Sequence, residues 1–292
     1  MVESRRIVLL RPGSRRFVVA DGEAKLRFRA SLPGAFGYDQ AAHVLRALQA
    51  DGVPADVLLP LAMPTSWMVN ARASSRAFQR WLTLPALDVF QELLRALPEN
   101  ASPSSWLETG DSERDHVTEL VTALVGNEGA TLTALTKVLA LLRPQLVPLM
   151  DDAAIWFALD AVPRPTTADA PSGKPSLFVP MLDWFSRSVT DNEDALVSLA
   201  AKHDRAVLDA PQTLDRLLWI ESWGHRHSHD GNDAKRSRWW WVRDGMRESI
   251  VPLEGPHPSR GPGEPIDLQD ATLDGAWIAR AREALEASFV AS

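Results

Sequence analysis

The spacing of apolar and polar residues divides the chain into a β-like opening, a long helical body and a tail of mixed character. The opening runs "RIVLL", "RFVVA" and "KLRFRA" are rich in residues that suit a pleated surface. They are separated by "RPGSR" and "ADGEA", which carry turn-forming Gly, Pro and Asp-Gly. This pattern predicts a small antiparallel meander over residues 1–34. The period then changes from 2 to 3.6. "YDQAAHVLRALQADG" reads as a helix stopped by Gly52, and "LPALDVFQELLRALPEN" as one with Pro85 in its first turn and Pro98 past its end. "DSERDHVTELVTALVGN" opens on Asp111 or Ser112 as a cap, has acids in its first turn and stops at Gly126.

Helical spacing continues through "ATLTALTKVLALLRPQ", "DDAAIWFALDAV", "SLFVPMLDWFSRSV", "NEDALVSLAAKHD" and "TLDRLLWIESW". "PRPTTADAPSGKP" interrupts the series as a flexible loop. Past Trp223 come a His/Asp cluster, a run of three tryptophans, a Pro/Gly-rich stretch and a terminal amphipathic helix, "ATLDGAWIARAREALEASFVA". The expected fold is mainly α: a multi-helix core over residues 35–223, the β meander before it and a Trp-rich extension over 224–292. Trp67, Trp81, Trp106, Trp156, Trp184 and Trp219 sit in apolar segments and are expected in the core.

Composition narrows the chemistry. The 292 residues include 45% hydrophobic and 24% charged residues, ordinary for a globular chain. With no cysteine, thiolate metal sites and cysteine nucleophiles are excluded, and the chain suits a reducing compartment. A cytoplasmic location is expected: the N-terminus does not read as a secretory signal, and no apolar run is long enough to span a bilayer. The net charge of −7 argues against non-specific nucleic-acid binding, although residues 1–29 and "KRSRWWWVR" are locally basic. No phosphate-binding Gly-rich loop, dinucleotide fingerprint or Gly-x-Ser-x-Gly elbow occurs, so no cofactor is expected.

The segment "KVLALLRPQLVPLMDD" carries the main chemical candidate. A helix enters a proline-bracketed turn and delivers Asp151 and Asp152 to the start of the next helix. There, unpaired amides and the helix dipole favour a carboxylate. Two helices joined by the short link "GNEG" precede it, a candidate helix-hairpin-helix whose link amides suit a phosphate. Hairpin, helix, proline turn and Asp-led helix resemble the central segment of helix-hairpin-helix DNA glycosylases. "TKVLALLRPQLVPLMDD" and "TLDRLLWIESW" more closely resemble an uncharacterised bacterial domain family distantly related to that superfamily. The resemblance covers residues 38–223.

The resemblance implies a glycosylase-like protein that acts on or binds a nucleobase-bearing ligand, DNA or nucleoside. Asp152 or Asp151 is then the acidic group, acting without a lysine nucleophile, Lys137 is a further catalytic candidate, and Asn127, Gly129, Thr131 and Arg143 lie on the nucleic-acid side. The bland alternatives stand beside these roles. Asp151 and Asp152 can be simple caps with Arg143 as their ion-pair partner, and Lys137 a surface lysine or a donor to the next turn rather than a catalytic group. An interaction protein on the same scaffold, with a protein partner, is the second functional reading. A third is a metal-dependent enzyme. His225, His227 and His229 alternate in "GHRHSHDGND", and on an extended strand their imidazoles would converge as zinc ligands do. A polar loop is the alternative there. "RSRWWWVRDG" reads as a strand or as a base-stacking platform.

Overall fold

The computed structural model describes residues 7–11, 15–19, 22–31, 33–69, 81, 83–125, 130–159, 170–202, 208–229, 239–244, 247–252 and 266–267. These are mainly helical. The elements are β1 (Ile7–Arg11), β2 (Arg15–Val19), α1 (Gly22–Ser31), α2 (Pro33–Ala50), α3 (Ala55–Val69), α4 (Leu84–Ala96), α5 (Pro103–Leu107), α6 (Asp111–Leu124), α7 (Leu132–Leu142), α8 (Asp152–Ala158), α9 (Phe178–Ala200) and α10 (Ala210–His229). Three further strands follow: β3 (Trp239–Asp244), β4 (Arg247–Pro252) and β5 (Ile266–Asp267).

β1 and β2 pair antiparallel, with Leu9 opposite Phe17, but the expected third strand is a helix. "KLRFRA" lies in α1, where Lys25, Leu26 and Arg29 are buried at helical spacing. Packing on α10 decides this: Lys25, 0% exposed, donates to Glu221 at 2.5 Å. Local alternation is a weak preference that such a tertiary partner overrides. The Trp run does form a strand, and β3 pairs antiparallel with β4. The terminal helix expected over 271–291 lies outside the described residues.

The middle of the chain follows its helical period closely. α2 ends in a left-handed Gly52 at φ 87°. Gly52 N–H donates to Gln49 O and Val53 N–H to Leu48 O, the two bonds of a Schellman cap. α3 runs through Pro60 and Pro64, so proline content alone misjudges this segment. Gly110, not Asp111 or Ser112, is the N-cap of α6. The two helices expected over 176–204 are one continuous helix, α9, of 23 residues. Asn192 carries the chain across the expected break because its side chain serves β1 instead of capping a new helix. Pro171–Gly173, within the expected Pro-rich loop, and Pro175–Leu177, which starts at its last residue, are 3-10 turns.

Two apolar clusters result. The larger gathers α2 to α7 with the first turns of α9; the smaller joins β1, β2, α1, Phe157, α9 and α10. α7 runs through the larger one, and all of its residues except Thr133 are buried. Of the tryptophans expected in the core, Trp81 and Trp106 are buried, while Trp156, Trp184 and Trp219 are only partly so. Trp67 has no described side chain. Their polar N–H groups tie helices together: Trp81 Nε1 donates to Leu124 O (2.9 Å) at the end of α6, and Trp106 Nε1 to Asp183 Oδ1 (2.7 Å) in α9.

The free edge of β1 is covered by side chains of α9. Asn192 Oδ1 accepts from Val8 N–H (2.7 Å) and its Nδ2 donates to Val8 O (2.9 Å), so the amide replaces a neighbouring strand. Trp184 Nε1 donates to Leu10 O at 2.6 Å. Substituting Asn192→Ala leaves two main-chain groups without these partners. We expect a loss of about 2 kcal/mol in unfolding free energy by chemical denaturation, with faster hydrogen exchange at the Val8 amide. Unchanged exchange at Val8 would refute this role for Asn192.

Candidate functional site

The complete burial of α7 shapes the region around the two acids. Leu132, Leu135, Val138, Leu139 and Leu142 fill the core, and Thr133, Thr136 and Lys137 are the polar residues they carry with them. Thr131 caps the helix by accepting from Ala134 N–H (3.2 Å). Thr136 Oγ1 accepts from Met150 N–H (3.0 Å) and Thr133 Oγ1 donates to Met150 O (3.3 Å). Both main-chain groups of the residue before Asp151 are thus clamped to α7. From the other side, Leu149 N–H donates to Asp215 Oδ1 of α10 at 2.8 Å. Asp215 is itself buried and held by Arg216 at 2.7 Å.

The turn therefore leaves α7 in one orientation and places the acids at the start of α8. Asp151 is the N-cap: its Oδ1 accepts from Ala154 N–H at 2.8 Å. Asp152, in the first helical turn and half-buried, accepts from Ser172 N–H at 2.9 Å through Oδ1. This bond ties the 3-10 turn Pro171–Gly173 back to α8. No hydrogen bond or ion pair to Asp152 Oδ2 is present among the described residues.

Lys137 is the surprise. It is 4% exposed, not a surface lysine. Burial pulls its pKa down to about 8, and the negative charge of Asp151 acts in the opposite direction. The structure thus brings together Lys137 and Asp151, two of the residues singled out in the sequence, with Asp152 adjacent. Arg143 takes no part in pairing with these acids. It is buried at the end of α7, donating from Nη1 to Leu142 O (2.8 Å), from Nη2 to Leu94 O (3.1 Å) and from Nε to Leu97 O. Burial lowers its pKa, partly offset by Glu99 at 4.0 Å. One guanidinium therefore clasps the C-terminal ends of α4 and α7, where a cation is favoured.

Asn127 and Gly129 lie outside the described residues. The backbone at His225, His227 and His229 is the last part of α10, so the extended spacing considered for a metal site is absent. In a helix, residues two apart are rotated by roughly 200°. Their side chains lie outside the described residues, and among the described residues no group of three or more potential ligands gathers. Also among these residues, no helix is long and apolar enough to cross a membrane.

The segment that builds this region, from the end of α3 to Glu221 of α10, is matched by a family model over residues 63–221, just over half of the chain. The chain belongs to the DUF6308 family. That family is described as one of unknown function. No curated protein and no solved structure matches the chain. The DUF6308 segment contains α7, the proline turn, both acids and Asp215, whereas the β hairpin, α1 and the whole extension lie outside it.

Thr133, Thr136 and Asp215 were not singled out by sequence reasoning as positioning residues, although each left a signal. The threonines stand three apart on a helix whose other residues, Lys137 aside, are apolar, and Asp215 interrupts the buried Leu214, Leu217 and Leu218. A polar residue on a buried face requires a partner.

Lys137 makes a testable linkage prediction. Its folded pKa, about 8, lies below the ordinary value of 10.5. Between those values the unfolded chain binds more protons, so this group destabilises fully below pH 8 and ceases to do so as pH rises toward 10.5. The stability advantage of Lys137→Met over the natural chain should shrink by roughly 3 kcal/mol across that window. Denaturation curves for both proteins at pH 7 and 10.5 check this, and a pH-independent difference would contradict it.

Proposed function

We propose that the Asp151–Asp152 turn, with Lys137 beneath it, is an acid–base site acting on the N-glycosidic bond of a nucleobase-bearing ligand, DNA or nucleoside. The observation that carries the reading is Asp152. Its Oδ1 is fixed by Ser172 N–H while its Oδ2 is left without a protein donor among the described residues. A carboxylate held by one oxygen and presenting the other suits proton removal from water. In the proposed reaction, water oxygen bonds to C1′ of the sugar as Asp152 takes its proton. The C1′–N bond breaks, its electron pair leaves with the base, and the base takes up a proton from solvent, balanced by the one that Asp152 returns to solvent. Asp151 and Asp152 together place negative charge beside the developing oxocarbenium centre. Lys137, ionising near neutrality, sets the charge of Asp151's surroundings.

The resemblance of the sequence motifs to helix-hairpin-helix glycosylases gives this reading its substrate class. α6, the link and α7 stand in the order of that motif, followed by an Asp-led helix. A second reading, a non-catalytic interaction protein on the same scaffold, is favoured by a specific fact. One oxygen of each acid already holds a main-chain amide, of Ala154 and of Ser172.

Asp151→Asn/Asp152→Asn separates the two. Asn also caps helices well, so the thermal midpoint should stay nearly constant while base release from alkylated duplex DNA or nucleosides disappears. If the unsubstituted protein releases no base and does not bind abasic duplex at low salt, the glycosidic reading is wrong. A retained protein partner in co-purification would then support the scaffold reading.

A further inference from the structure

A groove of about 620 Å³ lies between β1, the end of α5 and α9, within the size range of small-molecule sites. Its apolar wall is Leu10, Leu107 and Trp184. The indole is immobilised by its bond to Leu10 O. Along α9 the same groove is lined by Arg187, Ser188 and Asp191, and Arg11 stands on the β1 side. None of these belongs to the turn that carries Asp151 and Asp152, so the groove is independent of the glycosidic reading.

The polar lining is incompletely used by the protein. Ser188 is 4% exposed, yet its hydroxyl makes no hydrogen bond among the described residues. A hydroxyl that lines the groove without a protein partner among the described residues is a position that a ligand can fill. Arg187 and Asp191, one helical turn apart, form no ion pair or hydrogen bond among the described residues. Their order, cation before anion along the helix, is the weaker arrangement for i,i+4 pairing. Arg11 adds a second positive charge, its guanidinium stacked 4.5 Å from the Phe17 ring centroid and 3.9 Å from that of Phe157.

The order of these groups along α9 specifies the ligand. From Trp184 toward Asp191 they run apolar, cationic, hydroxyl, anionic, over about 10 Å at 1.5 Å per residue. We propose that the groove binds a small zwitterion with an apolar body, an aromatic amino acid or its dipeptide. The side chain lies on Trp184, Leu10 and Leu107. The carboxylate meets Arg187 and Arg11, Ser188 donates to the carboxylate, and the ammonium meets Asp191. Charge complementarity at both ends rejects molecules that lack either group.

Isothermal titration of the full chain with L-phenylalanine and L-phenylalanyl-L-phenylalanine tests the assignment. At least one should bind with one-to-one stoichiometry, while the N-acetyl and C-terminal amide derivatives of that probe bind at least tenfold more weakly. Arg187→Glu and Asp191→Lys alter exposed positions and should each weaken the parent probe by a similar factor, with the circular dichroism spectrum unchanged. Arg187→Glu should tolerate the amide better than the free acid, and Asp191→Lys should no longer distinguish the N-acetyl derivative. Failure of both probes to bind overturns the proposal, as do equal affinity for the blocked derivatives or affinity unchanged in both variants.

Discussion

A helix with every residue but one buried cannot carry polar groups without specifying what surrounds it, and α7 carries several. Thr133 and Thr136 need partners because burial removes their water. They find them on the main chain of Met150, the residue before the acid pair. Lys137 is drawn into the interior on the same helix, and Asp151 supplies the charge that opposes its desolvation. Arg143, at the end of the helix, must satisfy several donors at once and does so on carbonyls of α4 and α7. The direction of the proline turn follows from these demands. Prolines limit what the turn can do, while the polar groups of α7 select what it does.

The same logic holds where α9 meets its neighbours. Asp183 accepts from Trp106 and from Arg114, joining α5 and α6 to the helix. Asn192 and Trp184 complete the main-chain bonding of β1. One long helix thus serves as an edge cover for the hairpin, a brace for two short helices and a wall of the groove. Its length allows this: at 1.5 Å per residue it spans about 35 Å. The buried Lys25–Glu221 pair performs a similar service between α1 and α10. Such a pair adds little net stability against an apolar alternative, but removing one partner is costly, so it restricts how α1 can dock.

Much of the helical body was legible from residue spacing because amphipathic period and stop signals are local. Pro85 and Pro98 bracket α4, Gly52 closes α2, and Asp151 caps α8, as their positions in the sequence imply. Two of the misreadings have a common cause. "KLRFRA" alternates like a strand but becomes helical because α10 offers Glu221 to Lys25. The polar stretch inside α9 resembles a helix boundary until Asn192 is seen to bond β1. Gly110 caps α6 in place of Asp111 or Ser112. For α1 and α9 a distant partner outweighs a local preference worth a fraction of a kcal/mol per residue, whereas the cap of α6 shifts by one residue along the chain.

By itself, the sequence determined that the chain is mainly helical, that an acid pair opens a helix after a rigid turn, and which residue types are present to do chemistry. These follow from backbone propensity and from capping, which act over a few neighbouring residues. Only the tertiary structure decided that Lys137 is interior and senses Asp151, that Arg143 clasps two helix ends, and that one oxygen of Asp152 has no protein donor among the described residues. It alone aligned Trp184, Arg187, Ser188 and Asp191 along one groove. Burial and charge are properties of what surrounds a side chain, and residues far apart in the chain provide most of those surroundings.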